Sequence, residues 1–205
     1  MSGATEPRRQ ARGLLRIGRI LDAASGILAT EGAEGLTMNE VARRAGISPG
    51  SLYQFFSDRQ QLLATLAERY ATHLARALPP APVDAAVRSA ALADLVAGVV
   101  DPILTFFRRN PGCRALFRGE GAELERIIQP VHDAMIERIL RMIQLRAPHL
   151  SEVDARRVAQ MCDLLFTALV PAISDARGPQ RRWMSDEAKA VIVRYLEPID
   201  NGATR

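Results

Sequence analysis

Lysine is nearly missing from this sequence: Lys189 is the only one, and arginine supplies the rest of the 27 basic side chains. Cysteine is almost as scarce. Cys113 and Cys162 lie far apart and show no metal-ligand spacing, so both read as small apolar residues in a reducing compartment. His73, His132 and His149 form no H-x-x-x-H pair, and no metal site is expected. A Gly-rich phosphate loop, a nucleophile–base pair and a reasoned pair of carboxylates are all missing, so neither an enzyme nor a cofactor is indicated. Aromatics make up only 5% and alternating runs are absent, which leaves no strand signal. No apolar run approaches the roughly 20 residues of a membrane span. No apolar stretch of signal-peptide type follows the N-terminus. The expectation is a soluble cytoplasmic protein with no membrane partner.

What the chain does have is apolar substance, at 48%, with 24% charged residues, enough for a packed core. Its net charge of +4 is unevenly placed. Arg8, Arg9, Arg12, Arg16 and Arg19 face a single acid, Glu6, within the first 20 residues. Residues 1–16 therefore read as a flexible basic arm, suited to a polyanion or simply solvated. Helical periodicity then runs almost throughout. Ile17, Ile20, Leu21, Ala24, Ile27 and Leu28 form one apolar face, with Gly32 as its stop. Thr37 and Glu40 make a capping-box pattern that opens a short helix ending near Ala45-Gly46. Ser48-Pro49 opens another, through Phe55 or Phe56. Ser57 or Asp58 caps the next, which Pro79, Pro80 and Pro82 end. Further helices are expected over Val87–Arg109, interrupted by Pro102; to about Arg118 from Asn110-Pro111; over Glu120–Arg146, interrupted by Pro130; over Ser151–Asp175; and over Ser185–Glu197, after Arg177-Gly-Pro179. Glu120, Glu123 and Glu125 read as a solvated helix start.

The pair of short helices between Thr37 and Phe56 is a helix-turn-helix pattern. Such a unit braces its first helix across a sugar-phosphate backbone and offers the start of the second to base edges in the major groove. That requires short leading side chains, which Ser48, Gly50 and Ser51 supply, and a tight turn, which Gly46 permits. Val41, Ala42, Ile47 and Leu52 hold the two helices together.

At this point the sequence resembles the TetR family of transcriptional regulators. The resemblance runs through Ile20-Leu-Asp-Ala-Ala24, Glu31-Gly32, Leu36-Thr-Met38, Val41-Ala42, Ala45-Gly-Ile-Ser48, Gly50-Ser-Leu-Tyr53, Phe55-Phe56 and Leu62. It covers residues 17–70, about a quarter of the chain. It implies an all-α fold: a three-helix helix-turn-helix domain over 17–57, a helical ligand-binding and dimerisation domain over 58–200 and a flexible tail over 201–205. Thr37, Tyr53 and Arg59 then take the positions of phosphate contacts, with Arg44 a further candidate. Ser48, Pro49, Gly50, Ser51 and Gln54 line the groove-facing part, and the Gln54 amide suits adenine. Gln60 stands where the family usually has an acid.

The resemblance also implies double-stranded operator DNA as partner, a homodimer and a small-molecule effector. The run from Val158 to Ile173 is apolar on most of its circumference, so it must be covered on more than one side. Ala168 and Ala172 there, with Ala188, Val191, Ile192 and Tyr195 on the last helix, are the expected dimer seam. Phe106, Phe107, Leu116, Phe117, Met135, Met142, Met161, Cys162 and Phe166 are the expected pocket lining, suited to an apolar or aromatic molecule, with His132 as a polar anchor. Kinks at Pro102 and Pro130 are expected to open that pocket. The functional expectation is a repressor released from its operator by ligand. The alternatives are an activator, a regulator without effector, a helical enzyme or an interaction module.

Overall fold

A computed structural model describes residues 6–78, 84–119 and 122–202. Residues 1–5 of the basic arm, Pro79, Pro80, Pro82, Glu120 and the end of the tail, 203–205, lie outside the described residues. Ten helices occur among those described: α1 (Glu6–Glu31), α2 (Met38–Ala45), α3 (Pro49–Tyr53), α4 (Arg59–Ala77), α5 (Asp84–Ser89), α6 (Leu92–Arg109), α7 (Pro111–Arg118), α8 (Ala122–Arg146), α9 (Glu152–Asp175) and α10 (Gly178–Asp200).

Packing divides the chain into two compact units. One takes the chain up to Tyr70 together with Asn110–Ile128; the other takes Ala71–Arg109 and everything from Gln129 on. This differs from the expected division at 57/58, and the reason is core volume. Helices α1 to α3 are too few to bury their own apolar faces. Leu62, Leu63 and Leu66 of α4, with Cys113 and Leu116 of α7, complete that core alongside Ile20, Ile27 and Leu52. The α1–α7 crossing is so close that a Cβ on Gly112 would stand 2.4 Å from the Ser25 carbonyl oxygen. Beside it, the Ser25 and Tyr70 hydroxyls share a 2.7 Å hydrogen bond.

Several boundaries move for local reasons. α1 begins at Glu6, not at residue 17, because residues 8–16 are mostly good helix formers and Pro7 falls in the first turn, where its missing N–H costs nothing. Leu14 and Leu15 of this early part are exposed. The break expected at Pro102 falls instead at Ala90-Ala91, and Pro102 lies inside α6. Pro130 lies inside α8 and Pro171 inside α9. α10 starts at Gly178, with φ of 53° at Gly178 and Pro179 in its first turn, and so takes in the expected linker.

In the second unit α6, α9 and α10 pack mutually. Ile139, Leu140 and Ile143 of α8 join Ala155, Val158, Ala159 and Cys162 of α9 in one core cluster. By length and composition α9 is apolar enough to cross a membrane, contrary to the reading of apolar runs. Its charges sit mainly at its ends, which leaves Asp163 alone in the middle. That carboxylate is buried and accepts a 2.8 Å hydrogen bond from His132 Nδ1.

Candidate nucleic-acid interface

The site is built by three consecutive caps. Thr37 Oγ1 accepts from the Glu40 backbone N–H at 3.2 Å and starts α2. The reciprocal half of the expected capping box is not made, because the Glu40 carboxylate is taken by Arg43 and Arg44. Gly46 ends α2 in the left-handed conformation, φ 66°, and its N–H bonds back onto the last turn. A residue with a Cβ would be strained there. Two residues on, Ser48 Oγ accepts from the Ser51 N–H at 3.2 Å and starts α3. α3 ends at Tyr53, short of the expected Phe55 or Phe56, whose N–H groups still bond to the Leu52 carbonyl. Asp58 is the cap of α4: its Oδ1 accepts from the Gln61 N–H at 2.8 Å, while Gln61 reaches back to the Ser57 N–H at 2.6 Å. These bonds and the Ser57 hydroxyl hold the Asp58 carboxyl below its ordinary range.

This scaffold sorts the residues of α3 by exposure. Leu52 is fully buried and Phe56 nearly so, as are Val41 and Ala42 of α2. Ser48, Pro49, Gly50, Tyr53 and Gln54 are exposed, and Ser51 is half-buried. Tyr53 is 53% exposed. Thr37, Tyr53 and Arg59 come together around one surface cleft of about 440 Å³ with Leu36, Met38 and Asn39. A Cβ at Gly50 would meet nothing in the protein, so the chain's own packing does not require glycine there.

Two expected phosphate contacts are engaged by the protein's own groups in this structure. Arg44 lies between acids: its Nε donates to Glu40 at 2.7 Å, and its Nη2 pairs with Glu31. Its charge is spent on holding the end of α1 to α2. The paired Glu40 carboxyl is held down to about 2, chiefly by its bonds from Arg43 and Arg44. Arg59 lines the cleft, but its guanidinium faces inward. Nε donates to the Leu36 carbonyl at 3.0 Å, Nη2 to the Ala33 carbonyl at 2.8 Å and Nη1 to Glu123 at 3.1 Å. It clamps the α1–α2 connection to α4 and to the first turn of α8. Glu123 is thus not merely solvated, whereas Glu125 is exposed. The spacing of Glu40 from Arg43 and Arg44 was a readable signal for the first network. Nothing local signals a bond between residues 64 apart in sequence.

The second unit holds an apolar cavity of about 80 Å³. α6 contributes Leu92, Val96 and Val99; α8 contributes Ile139, Met142 and Ile143; α9 contributes Cys162 and Phe166; α10 contributes Ile192 and Leu196. Burial pushes the Cys162 thiol up to about 12, so this wall is uncharged. Of the expected lining, Met142, Cys162 and Phe166 are there. Phe106 and Phe107 are buried further along α6 in an edge-to-face pair, 5.8 Å between centroids. Leu116 and Phe117 belong to the first unit. Met135 packs against the core cluster, His132 is turned to Asp163, and Met161 is exposed. Neither Pro102 nor Pro130 lines the cavity, so the expected opening by kinks is not what makes it.

The expected dimer seam divides in the same way. Ala168 and Ala172 are exposed on α9, on a stripe with Met161 and Leu164. On α10, Val191 is exposed, but Ala188 and Ile192 are buried in their own unit and Tyr195 packs on its core cluster. Trp183, 63% exposed, was not singled out in the sequence.

The geometry defines a helix-turn-helix head on an all-α scaffold, and similarity to known proteins agrees. Residues 20–66 match the model of bacterial regulatory proteins of the tetR family, and residues 91–196 match the tetracyclin repressor-like C-terminal domain. The chain belongs to the TetR family of bacterial regulatory proteins. An HTH-type transcriptional regulator in the dhlA 5' region of Xanthobacter autotrophicus is 39% identical over 70 residues. That match covers 34% of this chain and 35% of the relative, so the chain spans about a third of that relative's length. The nucleoid occlusion factor SlmA of Haemophilus influenzae is 24% identical over 185 residues, 82% of this chain and 78% of that protein. Among solved structures, a TetR-family transcriptional regulator from Streptomyces coelicolor has a TM-score of 0.62 at 24% identity, covering 90% of this chain and 99% of its own. A putative TetR-family regulator from Shewanella sp. PV-4 has a TM-score of 0.68 at 18% identity, covering 93% and 99%.

Proposed function

We propose that this protein is a cytoplasmic, non-enzymatic regulator that binds a twofold operator as a homodimer and leaves it when a small apolar molecule binds the second unit. The observation that carries the DNA-binding half is the cleft at the start of α2, lined by Thr37 and by the exposed Tyr53 at the end of α3. Helix N-termini favour anions, so a backbone phosphate fits between the two hydroxyls. Ser48, Pro49, Gly50 and Ser51 are short enough to let α3 lie deep, and Gln54 reads the base edge. Arg43 is paired with Glu40 as Arg44 is, but its side chain is 69% exposed, so it is the one of the two that a backbone phosphate can reach. The dimer half rests on the exposed apolar residues of α9 and α10, with Leu164 and Trp183 added to Ala168, Ala172 and Val191. The two recognition helices then reach half-sites about 34–36 Å apart.

The test is selection of a binding sequence from random duplexes, followed by affinity measurements across salt concentration. A twofold site is expected, with log K falling by about 0.9 per phosphate contacted for each tenfold rise in salt. Tyr53→Phe lowers affinity for all sequences alike. Gln54→Ala relaxes discrimination at one base pair, by about 1–3 kcal/mol. A flat salt response with no enriched sequence sinks the proposal.

A further inference from the structure

The second unit's cavity has a single polar element in its wall, the pair Arg146 and Asp200. Arg146 stands in the last turn of α8 and Asp200 in the last turn of α10. The guanidinium edge that pairs two-pronged with carboxylates is already filled. Nε donates to Asp200 Oδ1 at 2.7 Å, and Nη2 donates to Oδ2. Nη1 is spent on the carbonyls that end α5, donating to Ala90 at 2.6 Å and Val87 at 3.1 Å. The side chains of both residues are largely buried. No other cavity-lining side chain offers a charge, and the only other polar hydrogen in the lining is the weak S–H donor of the neutral Cys162 thiol.

Consider two molecules of similar size, one bare and one bearing a carboxylate. The apolar walls receive both ring bodies alike. A carboxylate laid against these walls gives up much of its water and finds Arg146 occupied, and an unpaired charge in such a place is disfavoured. The pocket is partly open on one side, and its apolar walls suit a small hydrocarbon. At about 80 Å³ it is smaller than the roughly 150 Å³ apolar cavity that takes benzene, so a single ring reaches into its open side and a long chain is not enclosed. We infer that this cavity accepts a small uncharged apolar molecule, and that Asp200 sets this selectivity by occupying the guanidinium that would otherwise bind an anionic group. The inference names the effector class of the site proposed above and rests on that reading.

The experiment uses the full chain, with benzene and benzoate as probes followed by calorimetry or ligand-observed NMR. Benzene binds saturably, and benzoate binds at least about tenfold more weakly. Asp200→Asn keeps the shape but frees the two-pronged edge: benzoate affinity rises about tenfold or more, while benzene stays within about threefold. A purely structural role for Asp200 would change both probes together. Equal binding of the two probes by the unaltered protein, no benzene binding, or a folded Asp200→Asn protein that still rejects benzoate overturns the assignment. Should Asp200→Asn fail to fold, Met142→Phe decides: it fills the cavity, so loss of benzene binding supports the site and unchanged binding overturns it. Adding benzene to the DNA complex is a separate arm. Benzene bound in the cavity with DNA retained leaves the selectivity standing and removes ligand-driven release.

Discussion

The two units are held together by different physics. In the first, the helix starts of the reading head are fixed by bonds between neighbours in sequence, Thr37 to Glu40, Ser48 to Ser51 and Asp58 to Gln61, with Gly46 turning the chain between α2 and α3. Distant ties such as Arg59 to Glu123 fasten that head to the rest of its unit. In the second, long helices are held by apolar faces and by a few polar ties between distant residues, Arg146 to Asp200 and His132 to Asp163. A reading head that must present particular side chains at a particular angle needs local, directional bonds. A unit that surrounds an apolar cavity needs adaptable walls. The comparison predicts that the first unit is the less forgiving of change.

The strongest way to break that comparison is to truncate one core side chain in each unit. Leu52 is fully buried and is the main anchor of a five-residue helix. Leu52→Ala is expected to cost about 3–5 kcal/mol and to abolish DNA binding. Ile143→Ala enlarges a cavity that already exists and loses fewer contacts, with an expected cost of about 2–3 kcal/mol. Denaturant unfolding of both variants gives the two values. A larger cost at Ile143 would mean that the second unit is the tightly specified one.

What was legible in the sequence follows the same division. Caps, a turn glycine and Pro at a helix start are signals confined to four or five residues, and so the starts of α2 and α3 and the exposure of Ser48, Pro49, Gly50, Tyr53 and Gln54 could be read directly. Arg59 could not. Its position is that of a phosphate contact, but its direction is set by Leu36, Ala33 and Glu123, which come from three separate stretches of chain. In the second unit every apolar helix offers several faces, and periodicity alone does not say which one meets a neighbour, a cavity or a partner. Met161 and Met142 look equivalent as letters, yet one is exposed on α9 and the other lines the cavity. Ala188 and Ile192 group with Val191 in the sequence pattern, yet one residue step, about 100° around the helix, separates buried Ile192 from exposed Val191.

The inward geometry of Arg59 gives the next prediction. Arg59→Ala removes three hydrogen bonds that fasten the α1–α2 connection, and about 1–3 kcal/mol of stability should go with them. The salt dependence of DNA binding should keep its slope, because no phosphate contact is lost. A slope reduced by about one contact, with stability unchanged, would return Arg59 to the phosphate and weaken the inward geometry.

The smallest effect tests whether local caps set the head. Ser48→Ala removes the one side-chain bond that starts α3 and is expected to cost about 1 kcal/mol. Ser151→Ala removes the equivalent cap of α9, which runs for 24 residues and is anchored by Ala155, Val158 and Cys162. Both substitutions delete the same kind of bond, so global stability alone separates them poorly. Hydrogen exchange does separate them. After Ser48→Ala, amides throughout α3 and the following turn should exchange faster, since the first turn of that short helix is then left with the Leu52 N–H to Ser48 carbonyl bond and few others. After Ser151→Ala, the faster exchange should stop within the first turn of α9, where side-chain burial takes over from the cap. An equal reach of the disturbance in the two helices would show that packing, not capping, holds α3 in place.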